Sequence, residues 1–159
     1  MFVFNERPSN IFRERKEGGF NLRIGDFGLS TKILVSEENE EMKNRNSVMT
    51  QNIGTPMYLA PELECGLNYN EKIDIYALGL ILFELLFVIS TRHEHDNLFK
   101  SLKLHHNFPL EMKVAYKEEC RLIEWMTQRE PEDRATVFEI MESKDFLYLE
   151  KEFSLSCSN

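Results

Sequence analysis

The run IDIYALGLILFELLFVIS, residues 73 to 90, constrains this chain more than any other stretch of its sequence. Apolar residues occupy almost every position, so a helix here would be apolar nearly all round, as buried helices are. Asp74 and Glu84 limit the charge-free part to residues 75 to 83, well short of the ~18 residues that a membrane span requires. The run therefore predicts a central buried helix over about residues 71 to 89, and no association with a membrane.

Length and composition favour one compact domain. The chain has 159 residues, of which 42% are hydrophobic, and this is enough for one core. The formal net charge of −8 offers no basic field to a phosphate backbone, so we expect no direct nucleic-acid partner. The three cysteines show no pairing pattern, and the start MFVFNERPSN lacks the apolar run of a signal peptide. We therefore expect a cytoplasmic protein without disulfides.

Short β-type runs come first along the chain. Residues 10–12 (NIF) and 22–24 (LRI) flank the charged segment RERKEGG, and together they predict a β-hairpin with a long loop. The stretch from Gly28 to about Met49 is polar and too poor in apolar residues to pack. It therefore predicts a mobile surface loop.

Helical patterns follow. They predict helices at about residues 61–66, 71–89, 92–103, 112–127 and 137–143. Asn70 precedes the central helix as a cap candidate, while Thr91-Arg-His-Glu94 and Thr136-Val-Phe-Glu139 are typical of capping boxes. The sequence thus predicts an α+β fold that is mainly α-helical and carries a small β-hairpin.

The triplet Asp26-Phe27-Gly28 puts a carboxylate at the end of the second β-type run. Magnesium binds one or two such carboxylates together with substrate phosphates, and Asn10 at the start of the hairpin could supply a further oxygen. On its own the triplet is more often an ordinary turn. Its interpretation therefore depends on what surrounds it.

Three short motifs follow one another along the chain, namely Pro8-Ser9-Asn10, Asp26-Phe27-Gly28 and the segment GTPMYLAPE that ends at Glu62. Together they resemble the protein-kinase signature. The resemblance implies a kinase C-terminal lobe over residues 8–148, with an activation segment at 26–62 that includes Thr50 and Thr55. It leaves residues 1–7 as a non-matching N-terminus and residues 149–159 as a C-terminal tail.

Two later motifs extend the resemblance. Asp74-Ile-Tyr-Ala-Leu-Gly79 is similar to the start of the kinase F helix, whose aspartate accepts hydrogen bonds from the catalytic-loop backbone. Pro131-Glu-Asp-Arg134 resembles the motif whose arginine pairs with the A-P-E glutamate, which implies an ion pair between Arg134 and Glu62. The ordinary alternative is an arginine exposed in a surface turn.

Within kinases, the chain resembles those that phosphorylate the alpha subunit of translation initiation factor 2 under stress. The resemblance is carried by PSNIF, by RIGDFGLST, by IDIYALGLILFELLF and by Thr91 before the next helix. It implies that Thr50 is autophosphorylated and that the helix after Thr91 docks this protein substrate. For Thr91, helix capping and substrate contact are equally plausible roles, and one residue can do both.

The catalytic loop departs from the family pattern H-R-D-x-K-P-x-N, because Asn5 stands where the catalytic aspartate belongs. Arg7 replaces the lysine, and Phe4 replaces the arginine that would bind phosphorylated Thr50. The glycine-rich loop and the V-A-I-K lysine of the N-lobe are also absent from the sequence. We therefore expect that Asn10 and Asp26 could still hold magnesium, that ATP binds weakly or not at all, and that this chain alone does not catalyse phosphoryl transfer.

Three functions remain open at this point. The chain could be part of an active Ser/Thr kinase, a non-catalytic pseudokinase module that docks the substrate in competition with a full-length kinase, or a poorly folding remnant. A metal site at His93 and His95 is disfavoured, because residues two apart on a helix point to different faces. The same conclusion applies to the neighbouring pair His105 and His106.

Overall fold

A computed structural model describes residues 2–3, 10–16, 19–25, 31–32, 56–67 and 69–156. These residues form four short strands, which are β1 (Phe2–Val3), β2 (Ile11–Lys16), β3 (Gly19–Ile24) and β4 (Thr31–Lys32). A 3-10 turn at Pro56–Tyr58 leads into seven α-helices, which are α1 (Pro61–Glu64), α2 (Lys72–Leu86), α3 (Arg92–His105), α4 (Leu110–Ala115), α5 (Lys117–Met126), α6 (Val137–Glu142) and α7 (Lys144–Ser156). The prediction of an α+β fold that is mainly α-helical is confirmed.

Strands β2 and β3 form the predicted hairpin, but they are longer than the two apolar runs from which it was predicted. Their antiparallel register extends from Ile11 opposite Ile24 to Lys16 opposite Gly19. Only two residues separate the strands, so the prediction of a long loop is wrong. The charged segment can join the ladder because the side chains of residues 13–15 are exposed, and Arg23 and Glu14 form a 2.8 Å ion pair across it.

A second small sheet joins β1 to β4, with Phe2 opposite Lys32 and Val3 opposite Thr31. The prediction of a loop from Gly28 onward is therefore wrong at residues 31–32, since the backbone there pairs with the start of the chain. The rest of that predicted loop lies outside the described residues.

Helix α2 is the centre of the helical part, as the apolar run predicts. Its fully buried side chains Tyr76, Leu80 and Phe83 pack in one cluster with Phe99 of α3 and Ile123 of α5. The helix ends at Leu86, earlier than expected, because Phe87 has an extended backbone. None of the helices in the described part of the chain is long and apolar enough to cross a membrane.

The helix starts at Thr91 and Thr136 use the predicted caps, with one difference at Thr91. At α2 the N-cap is Glu71, and the cap candidate Asn70 instead accepts a 3.0 Å hydrogen bond from Lys72 N through its Oδ1. Thr136 and Glu139 form a complete capping box, in which Thr136 N donates to Glu139 Oε2 at 2.8 Å and Glu139 N donates to Thr136 Oγ1 at 3.3 Å. At α3, Thr91 Oγ1 accepts from Glu94 N at 3.2 Å, but Glu94 Oε2 accepts from Ser90 N. In a capping box the Glu94 carboxylate would accept from Thr91 N; here it accepts from the residue before the N-cap.

The helix predicted over residues 112–127 is two helices, because the backbone leaves the helical region at Tyr116 (φ −132°, ψ 55°). The turn between α4 and α5 lets Met112 and Ile123 reach the same core cluster. At the other end, α7 is continuous from Lys144 to Ser156 and crosses the domain boundary expected at residue 148.

Candidate active site

The open end of the hairpin holds the first candidate site residue. Asn10 is buried, and its carbonyl oxygen accepts a 2.8 Å hydrogen bond from Gly25 N. The hairpin thus joins Asn10 to Gly25, the residue that precedes Asp26 in the sequence. Asp26 itself lies outside the described residues.

Gly25 lies under the ring of Phe12. A methyl group at Gly25 would come within 2.6 Å of Phe12 Cε2, so a side chain here would displace the ring. Phe12 is 55% exposed, which leaves an aromatic face open beside the hairpin end. The glycine before Asp26 is therefore explained by its close packing against the Phe12 ring.

An ion pair between Glu62 and Arg134 lies deep in the helical part. Arg134 NH1 lies 2.7 Å from Glu62 Oε1 and NH2 lies 3.1 Å from Oε2, which is the bidentate arrangement that a guanidinium favours. Side-chain exposure is 0% for Arg134 and 3% for Glu62. The structure thus brings together the two residues for which the resemblance implies pairing.

Backbone oxygens complete the surroundings of the Arg134 guanidinium. Nε donates to Gln128 O at 3.1 Å, NH1 donates to Lys72 O at 2.8 Å, and NH2 reaches Gln128 O and Arg129 O. A buried guanidinium needs acceptors for its five hydrogens, and this site provides them. Helix α1 is thereby fixed to the start of α2 and to the turn before α6.

Tyr76 lies beside this ion pair, with the Arg134 guanidinium 4.9 Å from the centre of its ring. Its hydroxyl is buried and makes no hydrogen bond within the described residues. Burial, reinforced by the nearby Glu64 carboxylate, raises the pKa of Tyr76 well above its ordinary value of 10.0. The phenol therefore stays neutral and contributes through its ring.

Sequence reasoning missed a polar connection between three elements. The Tyr58 hydroxyl donates a 2.5 Å hydrogen bond to Glu84 Oε2, and His95 Nε2 lies 3.0 Å from Glu84 Oε1. The carboxylate of α2 thus joins the end of the predicted activation segment to α3. The only signal in the sequence was an acidic residue within an otherwise apolar helix.

Lys103 of α3 was also missed, since its spacing marks no motif. Its ammonium group donates to Leu59 O at 3.0 Å and to Glu64 Oε1 at 2.5 Å. The side chain is 16% exposed, so solvent screens these contacts only partly.

Asp74 and Thr91 lie apart from each other, at the starts of different helices. Asp74 is half-buried in the first turn of α2, and the catalytic loop that should face it lies outside the described residues. Thr91 is exposed and acts as the N-cap of α3.

The other predicted site residues, Asn5, Arg7, Asp26, Thr50 and Thr55, lie outside the described residues. Across the described ranges, no three histidine, cysteine or acidic side chains are grouped so that they could hold a metal ion. His95, one of the histidines considered above, instead stacks on Phe99 with 4.3 Å between ring centres.

The fold and the anchored A-P-E segment are those of a protein kinase. Residues 7–146 match the protein kinase domain family, and the chain belongs to this family. Similar proteins include the eIF-2-alpha kinase GCN2 of Schizosaccharomyces pombe, 33% identical over 87% of this chain and 9% of its own length. Eukaryotic translation initiation factor 2-alpha kinase 3 of Rattus norvegicus is 33% identical over 91% of the chain and 13% of its own length.

A third relative is the interferon-induced, double-stranded RNA-activated protein kinase of Rattus norvegicus, 31% identical over 86% of this chain and 24% of its own length. The chain thus spans less than a quarter of the length of each of these relatives. The resemblance stated from the sequence motifs, to kinases of the factor 2 alpha subunit, is confirmed.

Proposed function

We propose that this chain is the substrate-docking, C-terminal part of a Ser/Thr protein kinase that acts on the alpha subunit of translation initiation factor 2. The observation that carries the proposal is the bidentate, buried pair of Glu62 with Arg134, which anchors the end of the activation segment. Two of the relatives are named as kinases of this subunit, and this supports the substrate.

Kinases of this family use ATP and magnesium. The buried Asn10 and, next to Gly25, the carboxylate of Asp26 are oxygen donors of the kind that magnesium prefers. We assign them as the residues that would hold the ion, which would in turn neutralise charge on the transferred phosphate. The hydrogen bond from Gly25 N to Asn10 O, one residue before Asp26 in the sequence, supports this assignment.

The proposed docking surface is the outer face of α3. Four side chains spaced for one helix face are exposed there, namely His93, Asn97, Lys100 and Leu104. The face combines a positive charge, polar groups and one apolar side chain, so it suits a partner of mixed or acidic character. Thr91 caps this helix and thereby fixes where the face begins.

In the proposal, the chain does not transfer phosphate by itself. Asn5 occupies the position of the catalytic aspartate, and a neutral amide is a poor acceptor for the substrate hydroxyl proton. The alternative within the same family is a non-catalytic docking module. Such a module would bind the same substrate and compete with a full-length kinase for it.

Catalysis is tested with purified chain, magnesium-ATP and recombinant alpha subunit, by following labelled phosphate. We expect no transfer above that of an Asp26→Asn variant. Transfer that exceeds this control would contradict the inactive state and would mean that Asn5 is compatible with catalysis.

Docking is tested separately, by calorimetric titration of the chain with the alpha subunit. We expect Lys100→Glu to weaken binding about tenfold or more, as a contact residue does, and Lys113→Glu on α4 to leave it unchanged. Thr91→Ser should retain both cap and binding. Failure of the unmodified chain to bind would remove the substrate assignment.

A further inference from the structure

Three side chains on one face of α3 connect this helix to the end of the predicted activation segment, two of them directly and His95 through Glu84. His95, Phe99 and Lys103 are spaced four residues apart, so they form one stripe along the helix. This end of the segment is residues 56–64, which hold the 3-10 turn and α1. The face is distinct from the exposed stripe that starts at His93.

Lys103 provides the polar contacts at the far end of the stripe. It binds a main-chain oxygen, Leu59 O at 3.0 Å, and the side chain of Glu64 at 2.5 Å. One lysine therefore spans both ends of the six-residue stretch from Leu59 to Glu64. Its mostly buried stem adds apolar contact to the charge.

Phe99 contacts the segment at Tyr58, and His95 is linked to Tyr58 through Glu84. The rings of Phe99 and Tyr58 meet edge to face with 5.6 Å between their centres, and the His95 ring stacks on Phe99. Glu84 accepts from Tyr58 and lies 3.0 Å from His95, which closes a ring of four side chains. Tyr58 is thus held through an aromatic contact and a hydrogen bond.

The segment depends on such contacts because α1 has only four residues. A helix this short has little stability of its own, and α1 has no side-chain cap. Its backbone bonds, such as Leu63 N and Glu64 N to Ala60 O, persist only if tertiary contacts hold them. Glu62 provides one anchor, through Arg134 in the turn before α6, and the α3 stripe provides the other.

We propose that His95, Phe99 and Lys103 are positioning residues that hold residues 56–64, so that the order of this segment depends on α3. The positioning role stands on these contacts alone. Its consequence for regulation rests on the proposed function, in which residues 56–64 end the activation segment and α3 docks the substrate. A protein bound to the outer face of α3 would then stabilise the segment through the inner face of the same helix.

The test is hydrogen exchange of the full chain, read by mass spectrometry without nucleotide or substrate. Lys103→Met should speed exchange of the amides of residues 59–66 about tenfold or more, the effect of losing a charged hydrogen bond. Exchange in α5 should stay as it is. Lys113→Met is the matched control, because Lys113 is an exposed lysine that bonds only Asn107 among the described residues.

Two further variants keep the test decisive. Lys103→Arg, which retains charge and reach, should restore slow exchange, and Glu64→Gln should reproduce part of the Lys103→Met effect from the segment side. Unchanged exchange in residues 59–66, or an equal rise in α5, would overturn the proposal. Since no substrate is present, a local rise supports the positioning role even if the alpha subunit fails to bind.

Discussion

Arg134 and Glu62, 72 residues apart in sequence, share two hydrogen bonds of 2.7 and 3.1 Å in a position closed to solvent. Both charged groups are buried on folding, so their attraction has to offset a large desolvation penalty. The main-chain oxygens around the guanidinium make the geometry favourable enough to do so. The pair therefore defines where α1 lies more than it adds net stability.

Breaking this pair from one side should be severe. Glu62→Gln leaves the Arg134 charge buried without its counter-ion, and we expect the free energy of unfolding to fall by ~3–5 kcal/mol. Arg134→Met should have an effect of similar size. Urea denaturation followed by circular dichroism provides the measurement.

The double variant Glu62→Gln with Arg134→Met is the control, because it combines the two single substitutions and removes both charges together. We expect it to be more stable than either single variant, so that the two effects are far from additive. Additive losses would mean that the two side chains do not act as a pair.

Tyr76 and Tyr58 should respond in opposite ways to loss of their hydroxyl groups. The Tyr76 hydroxyl is buried without a hydrogen-bond partner in the described part of the chain, so Tyr76→Phe should leave stability unchanged or raise it by ~1 kcal/mol. Tyr58→Phe removes the 2.5 Å bond to Glu84 and should lower stability by ~1–2 kcal/mol. Thermal unfolding of the two variants makes the comparison; a loss for Tyr76→Phe as large as that for Tyr58→Phe would contradict it.

Much of the fold could be predicted because its signals are local. The central helix follows from an unbroken apolar run, and the cap at Thr136 follows from a four-residue pattern. The break at Tyr116 has no such signal, since no glycine or proline marks it. It is set by tertiary packing, which lets Met112 and Ile123 enter one core.

The candidate site likewise has a part that could be predicted from the sequence and a part that could not. The pairing of Glu62 with Arg134 could be predicted because each belongs to a recognisable motif. The contacts of Lys103 could not, since they join residues 39 and 44 positions apart and leave no periodic trace. Glu84 was visible only as a charge in an apolar helix, and its two partners come from other elements.

Gly79 should resist substitution although it lies within a helix. Alanine normally favours a helix over glycine by ~1 kcal/mol. A methyl group here, however, would lie 2.7 Å from Thr127 Cγ2 and 2.9 Å from Met126 Cβ, at the close approach of α2 to the end of α5. We expect Gly79→Ala to lower the free energy of unfolding by ~1–3 kcal/mol.

A second substitution identifies the cause. Thr127→Ser removes the Cγ2 atom but can keep the hydrogen bond from Oγ1 to Ile123 O. In this background Gly79→Ala should be less damaging, as double-mutant analysis of unfolding would reveal. An unchanged penalty would point away from Thr127 as the obstacle.

The contact between Arg121 and Asp145 should make the packing of α5 on α7 sensitive to acid. Arg121 Nε donates to both carboxylate oxygens, at 3.2 and 3.1 Å, and these hydrogen bonds lower the pKa of Asp145 below its ordinary value of 3.8. Because the folded pKa is the lower one, the stabilisation is present above 3.8 and is lost as the pH falls through the folded value.

Two measurements check this expectation. In carbon-detected NMR titrations, Arg121→Leu should raise the pKa of Asp145 toward its ordinary value, because the hydrogen-bond donors are gone. In thermal unfolding, the difference between the unmodified chain and Asp145→Asn should shrink as the pH falls below 3.8. It should also shrink at high salt, since Arg121 is half exposed and an exposed pair is screened. A difference that is constant with pH would mean that Asp145 acts through packing or as a neutral hydrogen-bond acceptor, and not through its charge.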